Sequence, residues 1–431
     1  MNRPSTLMVG LGAVVALVLA AAPGALAAWS APRALPVPAG ALGTALAVDG
    51  RGDVAVAWST SGRRVDHATG PARVGVAIRT PAGRVRSHLL WSRRREGASA
   101  VAVGIDRHGE VTVAWVARGR VHAAFGAAAR RRWRAPRRVG PGVARPALAV
   151  APDGEVLLAW IARNGGTHDA FAADVAWRRA GRPFGRVTQL HRPRIPAVDY
   201  SPDAAIPSFD AAGRAYLVNP CGHALRTAAP GRRRFAPSIA VAGGHVLGLS
   251  LSVAGAGRGL VSWVGGWCSR DATVGDEPGP AYVRTITGGR LGATEPLPST
   301  AAATWTHAVA VAGRPSSAAW GEQGEQRSGI FRVDVTAGGV LGPLVAGPDG
   351  TVPALADGGG DVVVAPALPV PPLGADSGVV AVAPAGGGPS EAAPAVGSVA
   401  AATPGRRAAV LWSTQPPGAT YVSVWRPVRP S

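Results

Sequence analysis

Short apolar segments alternate with turns that contain Asp and Gly along the whole chain. The first clear copy, residues 45–58 (ALAVDGRGDVAVAW), has an apolar segment, a polar turn and a second apolar segment that ends at Trp58. Successive side chains of a strand point to opposite faces, and both faces are apolar here, so we expect both to be covered. Asp and Gly favour tight turns between antiparallel strands, and the segment therefore predicts a β-hairpin.

This hairpin pattern recurs at intervals of 44 to 57 residues. The second strand ends on an anchor residue, which is Trp in six copies and is replaced by Leu217 and Val364 in two others. The Trp anchors are Trp58, Trp115, Trp160, Trp263, Trp320 and Trp412. The predicted turn residues are Asp49, Gly52, Asp106, Gly109, Asp153, Gly154, Asp210 and Gly213. Each interval has room for four strands, which is typical of a β-propeller blade.

The sequence thus predicts an all-β protein, a β-propeller of four-stranded blades. Eight blades are expected, and seven are the alternative because residues 338–407 are rich in Pro, Gly and Ala. Few residues follow Trp412, whereas residues 29–37 resemble the outer strand of other blades. We therefore expect this N-terminal strand to complete the last blade and to close the ring, which removes an exposed sheet edge. A parallel solenoid is the competing array, but it lacks this hairpin turn chemistry.

The hairpins resemble those of secreted bacterial β-propeller proteins and, more loosely, those of NHL, WD-type and sialidase-like propellers. The resemblance covers nearly all of residues 28–431 and implies a fold, not a ligand. The repeat departs from the sialidase Asp box, because Gly52 lies six residues before Trp58 instead of three. The resemblance therefore does not assign a sialidase site to any residue of this chain.

Residues 1–27 have the pattern of a secretory signal peptide, with Arg3 before an apolar core and small residues at the cleavage positions. We expect cleavage near Ala27, which leaves residues 28–431 as one propeller domain, secreted or at the cell surface. An uncleaved anchor is the alternative. Cys221 and Cys268 follow the anchor positions of adjacent units, and export would permit a disulfide between them. Two free thiols are the other interpretation.

Positive charge is concentrated in the first half of the chain. The formal net charge is +20, and residues 1–240 hold 34 of the 45 basic residues but only 13 of the 25 acidic ones. All the basic residues are arginine. One run combines Arg130, Arg131, Arg132, Trp133 and Arg134, and such a combination can bind phosphate or acidic sugar. Arginine also protects outer strands from edge pairing, so both roles stay open. Export argues against a nucleic acid partner.

The sequence contains no recognisable catalytic motif. We find no HExxH, G-x-S-x-G, P-loop or dinucleotide fingerprint, and therefore predict no metal and no cofactor. A carboxylate pair for glycoside cleavage would need two acids that face one cleft. The loop clusters to consider are Asp169 with Asp174, and Asp271 with Asp276 and Glu277, and we interpret them as solvated loop charge. We expect a monomeric, non-catalytic binding or scaffold protein that contacts an anionic cell-wall polymer or another surface protein. An extracellular glycoside hydrolase or lyase of the sialidase-like type is the alternative.

Overall fold

The structure is a computed structural model that describes most of the chain between residues 33 and 424. The described ranges are 33–38, 41, 43–60, 71–93, 97–128, 133–143, 146–163, 171–190, 205–219, 224–243, 246–265, 279–299, 303–310, 315–323, 328–346, 352–357, 362–368, 381–383, 397–403, 407–413 and 420–424. The predicted signal peptide and both cysteines, Cys221 and Cys268, lie outside these ranges. Secretion and the disulfide therefore stay predictions.

Every regular element in the described ranges is a β-strand. The strands are β1 (Arg33–Leu35), β2 (Gly43–Val48), β3 (Val54–Thr60), β4 (Ala72–Arg79), β5 (Val85–Arg93), β6 (Ala98–Ile105), β7 (Glu110–Ala117), β8 (Arg120–Ala127), β9 (Arg137–Pro141), β10 (Ala147–Val150), β11 (Val156–Arg163), β12 (Phe171–Arg178), β13 (Thr188–Gln189), β14 (Ile206–Phe209), β15 (Ala215–Asn219), β16 (Ala224–Ala228), β17 (Ile239–Ala240), β18 (Val246–Ala254), β19 (Arg258–Gly265), β20 (Ala281–Thr287), β21 (Arg290–Leu291), β22 (Glu295–Pro296), β23 (Ala303–Val309), β24 (Ser316–Gln323), β25 (Ser328–Val335), β26 (Val345–Ala346), β27 (Val352–Asp357), β28 (Val362–Leu368), β29 (Ala381–Ala383), β30 (Gly397–Thr403), β31 (Arg407–Ser413) and β32 (Thr420–Val424).

These strands form antiparallel sheets that follow the order of the chain. They are sheet 1 (β2 to β5), sheet 2 (β6 to β9), sheet 3 (β10 to β13), sheet 4 (β14 to β17), sheet 5 (β18 to β22), sheet 6 (β23 to β26), sheet 7 (β27 to β29) and sheet 8, in which the order is β1-β32-β31-β30. In sheet 5, β21 and β22 both pair with β20. In sheet 8, β1 pairs with β32 through Arg33 and Val422, Ala34 and Tyr421, and Leu35 and Thr420.

The first strands of neighbouring sheets pack against one another. Strand β2 contacts β6, β6 contacts β10, β10 contacts β14, β14 contacts β18, and β18 contacts β23; β23 contacts β27, β27 contacts β30, and β30 contacts β2. Successive first strands therefore lie side by side, and the remaining strands of each sheet extend away from them in order. Such an arrangement of mostly four-stranded antiparallel sheets is that of a β-propeller, as the hairpin pattern predicts.

The Trp anchors form the core between sheets. Trp115, Trp160 and Trp320 are fully buried, and Trp58 and Trp263 are nearly so. Trp412 lies on β31, and its side chain is not among those described. Neighbouring residues are small where the indole rings need space. A Cβ atom at Gly75 would lie 2.2 Å from Cζ2 of Trp58, so glycine is required opposite that ring.

Asp carboxylates organise three of the predicted turns. In the first turn, Oδ1 of Asp49 accepts hydrogen bonds from the backbone N–H groups of Arg51, Gly52 and Asp53 at 2.8 to 2.9 Å. Asp106 and Asp210 accept equivalent bonds in the later turns. The glycines adopt positive φ, for example 91° at Gly52 and 79° at Gly109, which is the conformation that such turns require of glycine.

The third predicted turn differs in detail. The backbone N–H of Ala151 donates to the carbonyl of Glu155, as that of Asp106 does to the carbonyl of Glu110, so Ala151 occupies the position of the turn aspartate. Asp153 lies two residues further on, and its Oδ1 accepts a hydrogen bond from the N–H of Glu155 at 2.9 Å. Asp153 therefore supports the turn from a different position, and its side chain is exposed.

Candidate functional site

The antiparallel order of the strands places the connections of each sheet at two opposite ends. The connections between first and second strands and between third and fourth strands share one end, which we call the turn end. The opposite end, at which the second strand of each sheet finishes and the third strand begins, we call the loop end. A hydrogen bond within sheet 5 agrees with this assignment, since the N–H of Gly288, which follows the third strand, donates to the carbonyl of Gly257, which follows the first strand.

The acidic side chains of sheets 1 to 4 are largely withdrawn from solvent. Asp49 is 1% exposed, and Asp106 and Asp210 are 3% exposed, because their carboxylates bind turn N–H groups. Burial raises the pKa of Asp49, although its three backbone hydrogen bonds oppose the shift. Asp153 is the one acidic residue of these sheets, within the described ranges, whose side chain is classed as exposed.

Arginine side chains cover the same four sheets from outside. We call this surface the basic sector. At its turn end the exposed arginines are Arg51, Arg84, Arg107, Arg134, Arg179, Arg182, Arg186, Arg232, Arg233 and Arg234. Other exposed arginines lie on its outer strand β9, at Arg137 and Arg138, and towards the loop end, at Arg73, Arg93 and Arg118. The exposed charges of the basic sector are therefore almost all positive, since most of its carboxylates are buried.

Two glutamates, one partly buried and one buried, hold arginines that cross from the next sheet. Arg178 of β12 is 1% exposed, and its Nη1 lies 2.5 Å from Oε1 of Glu110. Its Nη2 donates to the hydroxyl of Thr112 at 2.7 Å, and its guanidinium carbon lies 4.4 Å from the centre of the Phe125 ring. The Glu110 carboxylate also accepts a hydrogen bond from the N–H of Gly181. This contact fixes the turn between β12 and β13 against sheet 2.

The next junction repeats the contact with a more exposed arginine. Nε of Arg233 donates to Oε1 of Glu155 at 2.7 Å, and Nη2 lies 2.6 Å from the same oxygen. The Arg233 side chain is 37% exposed and that of Glu155 is 8% exposed. Glu110 and Glu155 occupy equivalent positions, each directly after a turn glycine. The shared position of the two glutamates is visible in the sequence. Their arginine partners lie 68 and 78 residues further on, so the sequence pattern does not reveal these ion pairs.

The structure separates the members of the predicted anion-binding run. Arg130, Arg131 and Arg132 lie outside the described residues. Trp133 is half-buried, its ring centre lies 5.7 Å from that of His88, and Cβ at Gly126 would come within 2.9 Å of it. Trp133 therefore packs between sheets 1 and 2. Arg134 is exposed, with its guanidinium carbon 5.0 Å from the centre of the Phe125 ring.

Of the predicted carboxylate clusters, only Asp174 lies in the described part of the chain; Asp169, Asp271, Asp276 and Glu277 do not. Asp174 is 4% exposed on β12, directly opposite Trp160 of β11. Its Oδ1 has no hydrogen-bond partner among the described residues. Burial raises the pKa of Asp174 to about 6. The carboxyl group is enclosed between two sheets, so it is not presented to a ligand in solution.

An exposed aromatic ring lies on a first strand of the propeller. Trp305 of β23 is 41% exposed, and a Cβ at Gly248 would lie 3.1 Å from its Cε3 atom, so the ring rests on the Gly248 backbone. His307 lies two residues further on the same face, and burial lowers its pKa to about 4. Glu322 of β24 is fully buried and accepts a hydrogen bond from Nε1 of Trp320 at 2.7 Å.

The described residues contain no group of three or more His, Cys, Asp or Glu side chains that could hold a metal ion. A search of the same residues for a helix of sufficient length and apolar character to span a membrane found none. Neither finding bears on the parts of the chain outside these ranges.

Comparisons with known proteins find similarity in structure only. No protein-family model matches the chain, and no curated protein matches it by sequence. A virginiamycin B lyase from Staphylococcus aureus is similar, with a TM-score of 0.43 and 11% identity, over 78% of this chain and 96% of that chain. An ulvan lyase, described as a new polysaccharide lyase family, gives a TM-score of 0.47 and 13% identity over 74% and 90%.

An α-L-arabinofuranosidase from Fusarium graminearum is also similar, with a TM-score of 0.39 and 10% identity over 76% of this chain and 93% of that chain. These are likenesses of fold at low identity. The assignment of this chain to the β-propellers rests on the sheet topology described above.

Proposed function

We propose that this protein is an extracytoplasmic, non-catalytic β-propeller that binds an anionic polymer through the basic sector. The observation that carries the proposal is the separation of charge in sheets 1 to 4, where most arginines are exposed and most carboxylates are buried. Arginines are exposed over all four sheets. The turn carboxylates of Asp49, Asp106 and Asp210 are buried and accept hydrogen bonds from backbone N–H groups. Exposed guanidinium groups bind phosphate, sulfate and carboxylate with charge-assisted hydrogen bonds.

The proposal includes export and ring closure. We propose that residues 1–27 are removed as a signal peptide, that Cys221 and Cys268 are oxidised to a disulfide, and that eight blades form a ring closed by the N-terminal strand. The pairing of β1 with β32 and the contact between β30 and β2 support closure. The ligand expected for an exported protein of this charge is an acidic polymer of the cell wall or the medium, with an acidic protein surface as the rival partner.

The test is a comparison of dextran sulfate with uncharged dextran of the same length. The protein is titrated with each polymer at several salt concentrations. We expect binding to dextran sulfate alone, with an affinity that falls steeply as salt rises, because counterion release drives such binding. Equal binding of the two polymers, or binding to dextran sulfate that does not respond to salt, would show that charge on the basic sector is not the basis of recognition.

An extracellular glycoside hydrolase or lyase acting at the centre of the propeller is the second candidate. Several of the similar structures belong by name to such classes, and the observation in this chain that favours it is Trp305, because exposed aromatic rings in a concave site stack on sugars. The test is a panel of chromogenic glycosides and uronate-containing polymers. Turnover by the protein that is lost in Trp305→Ala would favour this candidate; no turnover would leave the binding function as the better account.

A further inference from the structure

The turns between third and fourth strands place one arginine after a glycine on each of several sheets of the propeller. In sheet 1, the N–H of Gly83 donates to the carbonyl of Thr80, and Arg84 follows the glycine. Gly83 has a φ of 79°. The glycine lies within the turn, and the residue after it leads the chain out of the turn towards the fourth strand. Arg84 is exposed.

Related turns occur in sheets 3 and 4, where the glycine is the third turn residue and the arginine after it donates the closing hydrogen bond. Gly181 has a φ of 67° and is followed by Arg182, whose N–H donates to the carbonyl of Arg179 at 3.0 Å. Gly231 has a φ of 69° and is followed by Arg232, whose N–H donates to the carbonyl of Ala229 at 2.9 Å. Arg182 and Arg232 are both exposed.

Sheets 5 and 6 show where the series stops. In sheet 5 the equivalent turn ends at Gly289 with a φ of 88°, and Arg290 follows it and is exposed. In sheet 6 the equivalent glycine is Gly339, with a φ of 87°, but the next residue is Val340, which is 67% exposed. The residue after the turn glycine is therefore Arg on sheets 1, 3, 4 and 5, and Val on sheet 6.

The two ion pairs hold this series in place. The carboxylate of Glu110 binds both Arg178 and the N–H of Gly181, which belongs to the turn that presents Arg179 and Arg182. The carboxylate of Glu155 binds Arg233, which lies between Arg232 and Arg234. In each case one arginine is used to attach the turn to the preceding sheet. Its neighbours stay exposed on a backbone that is fixed.

From these observations we infer that the turn end of the basic sector is a track for an extended polyanion, which lies across successive sheets and places an anionic group at each. The inference rests on the proposed function and names the part of the surface and the shape of the ligand. A row of arginines on separate sheets suits a linear polymer with regularly repeated charges. A compact anion would require the guanidinium groups to converge on one point, and fixed turns on different sheets do not do so.

The shared chemistry of the ligand is a linear chain with a negative group on each unit. A polymer of phosphodiesters and a polymer of uronic acids both fit this description. Both polymers are linear, but the spacing and charge of their units differ, and the experiment therefore compares the two.

The experiment measures affinity against ligand length. Inorganic phosphate, short oligophosphates and long polyphosphate are titrated at equal phosphate concentration, together with oligomers and polymer of a uronic acid. We expect the affinity per charged unit to rise with length until the chain spans sheets 1 to 4 and then to level off. If the protein recognises linear charge alone, the affinity per charged unit should rise with length for both classes of polymer. If it also recognises the spacing of the charges, the affinity should rise for one class. Either outcome supports the track.

Paired variants locate the track. Arg179→Gln with Arg182→Gln removes the exposed pair of sheet 3, and Arg232→Gln with Arg234→Gln removes that of sheet 4. Each pair is expected to lower the affinity for long polyphosphate by about tenfold or more and to reduce the salt slope by about one for each arginine lost. The matched control is Arg73→Gln with Arg93→Gln at the loop end, which we expect to change the affinity by less than about twofold. Circular dichroism confirms the fold of each variant.

Two results separate the inference from the proposed function. If long polyphosphate binds but short oligophosphates bind equally well per charge, or if the loop-end pair matters as much as the turn-end pairs, the track is wrong while anion binding stands. If no polyanion of any length binds, the proposed function itself is wrong.

Discussion

The junctions between sheets 2, 3 and 4 contain arginine and glutamate, whereas the junction between sheets 5 and 6 contains serine and threonine. Across the latter, the hydroxyl of Thr306 donates to the carbonyl of Gly248 at 2.7 Å and accepts a hydrogen bond from Ser262. The N–H groups of Ala308 and Ala310 donate to Ser250 and Ser252. Both junctions tie adjacent sheets, but only the ionic one removes carboxylates from the surface.

This difference explains why the two regions present different surfaces. Sheets 5 and 6 contain described arginines at 258, 284, 290 and 332 and described acids at 295, 322 and 334, so their charges nearly balance. In sheets 1 to 4 the arginines outnumber the eight described acids, and five of those acids are buried. The excess of arginine is therefore displayed, and the same interactions that attach the sheets produce the basic sector.

The largest expected effect comes from breaking the more buried ion pair. Glu110→Ala leaves the guanidinium of Arg178 buried with Thr112 as its remaining hydrogen-bond partner, and we expect a loss of about 3–5 kcal/mol in the free energy of unfolding. Glu155→Ala is the matched variant, because Arg233 can turn towards water, and its expected loss is about 1 kcal/mol. Urea unfolding measures both. Equal losses would mean that burial of the arginine does not set the strength of these junctions.

A second prediction uses pH to probe the buried carboxyl of Asp174. Its pKa is raised from 3.8 to about 6, so the folded protein binds this proton more tightly than the unfolded chain does. Stability contributed by this group is therefore lost as pH rises from about 4 to about 6. Asp174→Asn removes that loss and is expected to stabilise the protein at pH 7 by roughly 3 kcal/mol, since one pKa unit corresponds to about 1.4 kcal/mol.

The control for this substitution is Asp153→Asn, an exposed position whose Oδ1 acceptor is retained. We expect its stability to match that of the unchanged protein within about 0.5 kcal/mol at every pH. Thermal unfolding between pH 4 and pH 8 compares the two variants. A lower stability of Asp174→Asn at pH 7 would indicate that the Asp174 carboxylate is charged and paired in the folded protein.

The smallest expected effect lies in the hydroxyl junction. Ser250→Ala leaves the N–H of Ala308 without this acceptor, and we expect a loss of about 1 kcal/mol. The loss should not depend on salt, because neither partner is charged. Ser87→Ala, at an exposed position on β5, is the control and should change the free energy of unfolding by less than about 0.5 kcal/mol. A salt-dependent loss of stability in Ser250→Ala would contradict the distinction between ionic junctions and hydroxyl junctions.

Much of the fold could be predicted from the hairpin repeat. The anchors Trp58, Trp115, Trp160, Trp263 and Trp320 are buried as expected, because a strand with two apolar faces must lie between sheets. Details that depend on one residue were harder to predict. In the outer strand of sheet 2, a single bridge joins Trp133 to Gly126, and the regular strand β9 begins only at Arg137, after Pro136, which has no N–H to donate.

The candidate site could be predicted only as an excess of arginine in residues 1–240. The sequence pattern places an arginine on a strand or in a turn, but it does not show which carboxylate lies beside it. Glu110 and Arg178 are 68 residues apart, and they meet only because adjacent sheets pack face to face. The role of Trp133 depends in the same way on His88 of another sheet.

Arginine modification mapped by mass spectrometry tests the central claim most directly, because it examines every exposed guanidinium in one unmutated protein. The protein is treated with phenylglyoxal with and without long polyphosphate. The account predicts that the polymer protects Arg182, Arg232 and Arg234 at the turn end of the basic sector and leaves Arg73 and Arg93 at the loop end reactive. Equal protection at both ends, or protection at neither, would contradict it.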